Sequence, residues 1–205
     1  MKKLHTKTKK VHGAGINDSD CVTQRYVKIG GKSTRVWACP YYGSWAEMLR
    51  RCYSDRYIKS NPTYAGCSVC EEWLTFSAFK SWAELQEWEG KQLDKDIVSP
   101  GNKVYSPDAC AFVSLQVNSL LNIKRASRGD FPIGVSSVGL KYVARCRAGG
   151  GDRIYLGAHD TLEKASWAYG NFKAARIREV ALTQEPRVQE GLNRWADLYE
   201  KGLVK

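Results

Sequence analysis

Phe131-Pro-Ile-Gly-Val-Ser136, Lys141-Tyr-Val-Ala-Arg-Cys-Arg147 and Arg153-Ile-Tyr-Leu-Gly-Ala-His-Asp-Thr161 follow one another, and a helical pattern then runs from Leu162 through Tyr169 to Ala181. Three short strand patterns and one amphipathic helix predict a three-stranded antiparallel sheet packed on a single helix. Side chains alternate across a strand. The middle strand therefore sets Lys141, Val143, Arg145 and Arg147 on one face and Tyr142, Ala144 and Cys146 on the other. The second face is small and apolar and suits a helix behind it. Ala165, Ala168, Tyr169, Phe172, Ala175 and Ile177 recur at helical spacing and form the matching stripe. The first face is cationic, with Tyr155 beside it. Cations neutralise phosphates, and arginine reads guanine edges in a major groove wide enough for a thin sheet. The plainer reading is a solvated charged face. The turn at 148–152 is glycine-rich and longer than a tight hairpin turn.

Upstream, residues 93–118 form a second unit of pattern. Leu93-Asp-Lys-Asp-Ile97 is strand-like, Ser99-Pro-Gly-Asn102 and Tyr105-Ser-Pro-Asp108 are turn chemistry, and Cys110-Ala-Phe-Val113 is a second short strand. Ser114 caps a helix over Leu115–Leu121. Strand, long loop, strand and helix, with an acid on the first strand and an Asn on the helix, is the outline of a ββα-metal nuclease. Asp94 and Asn118 are the two oxygen ligands of choice for one hard divalent ion, magnesium or manganese. Alternation puts Asp96 on the face of Asp94, as a second ligand or a substitute base. Lys95 lies between them. With an ordinary pKa of about 10.4 it is a poor base near neutrality. Burial or nearby positive charge would have to lower that by about three units; otherwise it serves as a fixed cation for a negative transition state. Asp94, Asp96 and Asn118 also read as ordinary turn and capping residues.

The remainder organises around these two units. Residues 22–38 read as a β-hairpin turning at Gly30-Gly31. A short helix over 42–53 follows, then a loop over 55–66. A longer helix over 71–88 carries Trp73, Phe76, Phe79, Trp82, Ala83 and Leu85 on one apolar face. The expected division is a basic arm at 1–20, a nuclease-like module at 21–122, a basic linker at 123–130, a sheet domain at 131–182 and a C-terminal helix within 183–205.

The formal charge is +11 over 205 residues, and the sequence pI is about 9.3. That balance points to nucleic acid before an anionic membrane or an acidic protein. No apolar run reaches membrane-spanning length, and the basic start lacks the apolar core of a secretory signal. Seven cysteines without such a signal argue for a reducing cytoplasm over a disulfide framework. Cys67-Ser-Val-Cys70, with Cys52 upstream and Cys110 downstream, offers four thiolates for a structural zinc. The other reading makes Cys52 and Cys110 core residues. Cys21, Cys39 and Cys146 read as packing residues.

Two resemblances sharpen these readings. Gly134-Val135, Tyr142-Val-Ala-Arg-Cys-Arg147 and Tyr155-Leu-Gly-Ala-His-Asp-Thr161 leading into Glu163–Tyr169 resemble the Apetala-type (ethylene-response-factor) DNA-binding domain. Matching strand to strand, its DNA-touching positions fall on Ser136, Arg145, Arg147, Arg153 and Tyr155; Lys141 joins them only by alternation with Arg145. The family often has Glu where Arg145 stands, so its sequence preference does not carry over. Trp45–Tyr53, Asn61–Tyr64, Gly66–Trp73, Leu93–Ile97, Gly101–Cys110 and Val113–Asn118 resemble bacteriophage HNH-type proteins, many of which carry an Apetala-type domain at their C-terminal end. The resemblance implies an α+β protein with an N-terminal ββα-metal (HNH-like) module. It further implies metal-dependent cleavage or nicking of double-stranded DNA in the cytoplasm of a bacterial host, with no organic cofactor. In that family a His follows the strand Asp and deprotonates the attacking water. Lys95 holds that position here, so a catalytically inactive DNA-binding or host-interaction protein of a phage is the alternative.

Overall fold

The structure, a computed structural model, describes residues 10–121, 131–147 and 153–204. The linker expected at 123–130, most of the basic arm and the 148–152 turn lie outside the described residues. Among those described, the chain is a mixed α+β protein with six α-helices and a three-stranded antiparallel sheet packed against a long helix. It divides into two compact units, 1–95 with 102–112, and 96–101 with 113–205. This grouping places the 96–101 loop and the 113–121 segment with the C-terminal half.

In the first unit the hairpin forms as its alternation predicts. β1 (Gln24–Ile29) and β2 (Lys32–Ala38) pair antiparallel. Gly30 and Gly31 supply the two positive φ angles of the turn. α1 (Pro40–Tyr53) buries Trp45, Met48, Leu49 and Cys52. The expected loop at 55–66 instead contains α2 (Asp55–Ser60) and a 3₁₀ turn at Pro62–Tyr64. Ser54 starts α2, its hydroxyl accepting from the Tyr57 amide at 3.4 Å. β3 (Ser68–Val69) follows, then α3 (Phe76–Ala83), which is much shorter than the 71–88 helix expected. Thr75 is extended, with φ −100° and ψ 128°, and separates α3 from a 3₁₀ turn at Glu72–Leu74. Asp18 accepts from the Ser77 amide at 2.9 Å and caps α3 from a distance in sequence. Leu85, placed on the apolar face by spacing, lies past the helix end and is 84% exposed.

The core of this unit is aromatic. Trp45 and Phe76 lie 5.4 Å apart and Trp73 and Phe79 5.1 Å apart, at tilted and edge-on angles. The Trp45 indole donates to the Trp73 carbonyl at 2.7 Å, so burying it leaves no orphan donor. Gly15 must be glycine, because a Cβ there would sit 2.3 Å from Leu49 Cδ1.

β4 (Gln92–Asp94) pairs with β6 (Ala111–Val113), and between them β5 (Val104–Tyr105) pairs in parallel with β3. α4 (Leu115–Leu121) follows β6, with the Val117 amide donating to the Ser114 hydroxyl as the sequence predicts. The strand expected over 93–97 stops at Asp94.

In the second unit β7 (Val135–Val138), β8 (Lys141–Arg147) and β9 (Arg153–His159) form the sheet, in chain order. α5 (Leu162–Ala181) covers one face, opening on the Thr161 hydroxyl, which accepts from the Lys164 amide. Its buried stripe differs from the expected one. Lys173 and Ala174 are buried, and Ala175 is exposed. α6 (Pro186–Glu200) lies on α5, and Gly170 permits this: a Cβ there would stand 2.5 Å from the Tyr199 carbonyl oxygen. Arg178 ties the two helices by bonding Asp197 at 2.7 Å and Glu200 at 2.9 Å. α6 also holds the 96–101 loop. Trp195 donates to the Asp96 carbonyl and Arg194 to that of Val98, each at 2.9 Å.

Candidate nucleic-acid interface and candidate metal site

The sheet face is built by register. Ser136 on β7 pairs with Val143 on β8, while Arg145 pairs with Tyr155 and Arg147 with Arg153 on β9. Directly opposed residues share a face. Ser136, Arg145 and Tyr155 therefore form a row across all three strands. The Arg145 guanidinium donates to the Ser136 hydroxyl at 3.5 Å and lies over the Tyr155 ring, 5.9 Å from its centroid. Arg145 is half-buried, whereas Arg147, Arg153 and Tyr155 are exposed. An arginine lying between a hydroxyl and an aromatic ring has fewer rotamers left to lose on binding.

Two features behind the face fix this row. Gly134 has φ +76°, its carbonyl accepts from the Arg145 amide at 2.8 Å, and a Cβ there would sit 2.1 Å from the Tyr169 ring. On β9, Leu156 and Gly157 together oppose Ala144, a β-bulge where Gly157 takes φ +112°. The bulge changes the phase of β9 between Ala158 and Tyr155. Simple alternation misses it, although Gly157 within a strand pattern is the available signal.

Not every expected face residue is free. Lys141 bonds Asp160 and so spends its charge within the molecule. That hydrogen bond, with the ammonium charge, holds the Asp160 carboxyl below its usual value. Val143 is only 5% exposed, so the cationic surface is confined to the end of the sheet that carries Arg145, Arg147 and Arg153. Beneath the sheet, burial pushes the Lys173 ammonium below its ordinary pKa, opposed by the neighbouring Cys146. Burial likewise raises the Cys146 thiol.

The nuclease-like residues are placed differently. Asp94 closes β4 in the first unit, and Asn118 lies in α4 of the second. Because β4 ends at Asp94, strand alternation does not carry Asp96 onto the Asp94 face. Asp96 belongs to the second unit, where its carbonyl accepts from Trp195. Lys95 is 7% exposed, and its ammonium donates to the Asn102 carbonyl at 2.9 Å. Asn102 in turn donates to the Lys95 and Val104 carbonyls at 2.7 and 2.6 Å. Lys95 is thus part of the frame that closes the 96–101 excursion.

Around Asp94 and Lys95 the first unit gathers titratable groups. Burial raises the Tyr64 hydroxyl; Arg51 and Lys95 oppose the rise, and Tyr57 and Asp94 add to it. Burial also raises Tyr105, against the pull of Arg51. For Arg51, burial lowers the pKa, yet Tyr105, Tyr64 and Glu47 outweigh it and leave the guanidinium above its ordinary value.

Cys67 and Cys70 flank β3, Cys52 ends the core face of α1 and Cys110 precedes β6. Burial pushes the Cys52 and Cys110 thiols up to about 12 each and raises Cys70 as well. Among the described residues no three His, Cys, Asp or Glu side chains are gathered as a metal-holding group. Asp94, as a carboxylate, has the oxygen chemistry of a hard-ion ligand. A zinc ion held by these cysteines would have to displace the protons of Cys52, Cys70 and Cys110, whose thiols burial raises. Among the described residues no helix is long and apolar enough to cross a membrane.

A cleft of about 420 Å³ between the hairpin and α1, lined by Gln24, Arg35, Tyr42, Glu47 and Arg50, was not foreseen from the sequence. Comparison of the chain with protein-family models, curated proteins and solved structures found no match.

Proposed function

We propose that this protein binds double-stranded DNA through the exposed end of its three-stranded sheet. The observation that carries the reading is the row Ser136–Arg145–Tyr155 with Arg147 and Arg153 beside it. It presents three guanidinium groups and one aromatic ring on a surface whose opposite side is closed by α5. Arg147 and Arg153 supply phosphate contacts, and Arg145, held between Ser136 and Tyr155, is the one placed to read a guanine edge.

On that docking rests the reaction implied by the HNH-type resemblance: metal-dependent hydrolysis or nicking of DNA phosphodiesters by a phage protein in its bacterial host. Asp94 would hold magnesium or manganese, and the resemblance adds Asn118 as a further oxygen ligand. Such an ion would supply stabilisation of the charge on the scissile phosphate. A second reading is favoured by Lys95. Its buried ammonium donates to the Asn102 carbonyl, which supports a structural role for the cation at the position of the usual histidine base. A chain of this kind binds DNA without cutting it.

Supercoiled plasmid with magnesium or manganese distinguishes the two. Nicking by the parent that Asp94→Ala removes, with binding retained, supports the nuclease. Tight binding with no nicking across varied DNA, and nicking gained by Lys95→His, supports the inactive form. An absence of DNA binding at moderate salt would sink both.

A further inference from the structure

The hairpin β1–β2 has no role in the docking proposed above, and its surface is unusual. Every strand residue from Gln24 to Trp37 outside the turn is exposed or half-exposed, among them Tyr26 at 54%, Ile29 at 59%, Val36 at 54% and Trp37 at 43%. An isolated two-stranded ribbon of this kind buries little and gains little stability of its own.

Charge says what kind of partner fits. Residues 24–38 contain Arg25, Lys28, Lys32 and Arg35 and no Asp or Glu. Among the described residues no ion pair engages any of the four. The register distributes them over both faces. Tyr26 opposes Arg35 and Lys28 opposes Ser33 on one face; Arg25 opposes Trp37 and Ile29 opposes Lys32 on the other. Val36 is the extra residue of a bulge beside Tyr26. Arg25 lies over the Trp37 ring at 5.3 Å, which holds its guanidinium at the ribbon surface.

A protein partner or a second copy, lying flat on the ribbon, would cover one face with its two cations and leave the two cations of the other face unmatched. Extension of the ribbon by another strand is opposed by lysines near its tip, the usual guard of a sheet edge. Cations on both faces instead suit an occupant with negative charge on both sides. A duplex major groove is one, being about 12 Å wide, walled by two phosphate backbones and able to admit a two-stranded ribbon. Tyr26, Ile29 and Trp37 would then meet thymine methyls and sugars.

We infer that the β1–β2 hairpin is a second duplex-DNA contact, inserted as a basic ribbon into the major groove. The inference rests on the DNA reading only for the choice of ligand, since the hairpin and the sheet belong to different compact units. The full chain is titrated against a labelled random-sequence duplex by fluorescence anisotropy over a salt series. The variant R25A/K28A/K32A/R35A lowers the log–log salt slope by about 0.9 for each phosphate it no longer neutralises, hence by about 2 to 4 in all. The sheet variant R145A/R147A/R153A is measured alongside. A fall for the hairpin variant alone upholds the inference and removes the sheet from the docking surface. A fall for both upholds both. An unchanged slope for the hairpin variant overturns the inference, whatever the sheet variant does. So does an effect confined to single-stranded DNA, or a hairpin variant that loses self-association in sedimentation while keeping its DNA affinity. Should the quadruple variant fail to fold by circular dichroism, K28Q/K32Q carries the same test with an expected fall of about 1 to 2. Slower amide exchange over 24–38 on adding duplex is expected as the direct signature, and unaltered exchange there refutes it.

Discussion

Two cations sit at positions where a sequence reader would look for function, and they differ in what surrounds them. Arg145 stands in the middle of a three-stranded sheet, half-buried, its guanidinium lodged between a hydroxyl and an aromatic ring at the surface. Lys95 stands one residue past a strand end, 7% exposed, its ammonium committed to the Asn102 carbonyl. The first is held but presented, and the second is buried against the protein's own backbone. A charge is available to a ligand only if its desolvation and its hydrogen bonds have not already been settled inside the protein. That difference leaves the arginines of the sheet as the cations the proposed docking can use, and sets Lys95 against a role as base.

The largest test of the presented cations is R145A/R147A/R153A. If each arginine contacts a phosphate, the salt slope falls by about 2.7 and affinity at 0.1 M salt falls by about two to three decades. A loss of discrimination at one base position with little change in slope would mark Arg145 as a base reader instead. Filter binding or anisotropy over a salt series separates the two outcomes. Parent-like binding by the triple variant would remove the sheet from the docking surface.

Nearly as large an effect is expected behind the face. Gly134→Ala forces a positive φ on alanine and drives a Cβ into the Tyr169 ring. The cost is on the order of 3 kcal/mol, from backbone strain and overpacking together. Thermal unfolding of the full chain should show it, together with weaker DNA binding, because the Gly134 carbonyl holds the Arg145 amide. A variant as stable as the parent would mean that β7 carries less of the sheet than its register suggests.

Lys95→Ala probes the buried cation. It leaves the Asn102 carbonyl without its charged donor and opens a gap, at a cost of about 2 kcal/mol. Lys95→Met should lose less, since it refills the space and has no charge to desolvate. Urea unfolding measures both. If Lys95→Ala keeps full stability while abolishing cleavage, Lys95 belongs with the presented cations and the contrast fails.

Legibility in the sequence followed how local the cause was. The hairpin, α1, α5, α6 and the three strands of the sheet came from alternation, helical spacing and the Gly30-Gly31 turn. α2 was missed although Ser54 and Asp55 are an ordinary helix start, because the Asn-Pro-Tyr composition downstream suggested a loop. The 71–88 helix was overrun at both ends: Thr75 is extended and Leu85 falls past α3, while α3 takes its cap from Asp18, far away in the chain. β3 and β5 contain two residues each and pair in parallel across a long separation, which no local pattern announces. At the sites the limit was tertiary. Composition places Lys95 beside Asp94, but only packing shows its ammonium turned to Asn102, and alternation promises Lys141 to the ligand without seeing Asp160.

Lys141 gives the smallest effect and the finest test of the comparison, because it is a surface cation already partnered. Lys141→Ala should change DNA affinity by only a few-fold, well below the effect of any arginine on the face, since its charge is already balanced by Asp160. Asp160→Asn should do the opposite. It releases Lys141 and removes a carboxylate from the cationic side, so the salt slope should rise, by no more than about 0.9. The same pair has a pH signature. Asp160 has its carboxyl lowered by the Lys141 hydrogen bond and charge. Its contribution to stability is therefore complete above the unfolded carboxyl value of about 3.9 and is lost as pH falls through the lower folded value. In the parent the Asp160 carboxylate is thus lost as a partner of Lys141 only below that range, and in Asp160→Asn it is absent at every pH. If Lys141→Ala weakens binding as much as Arg147→Ala at neutral pH, the ion pair opens on binding. The division between presented and already partnered charge would then have to be drawn in the complex rather than in the free protein.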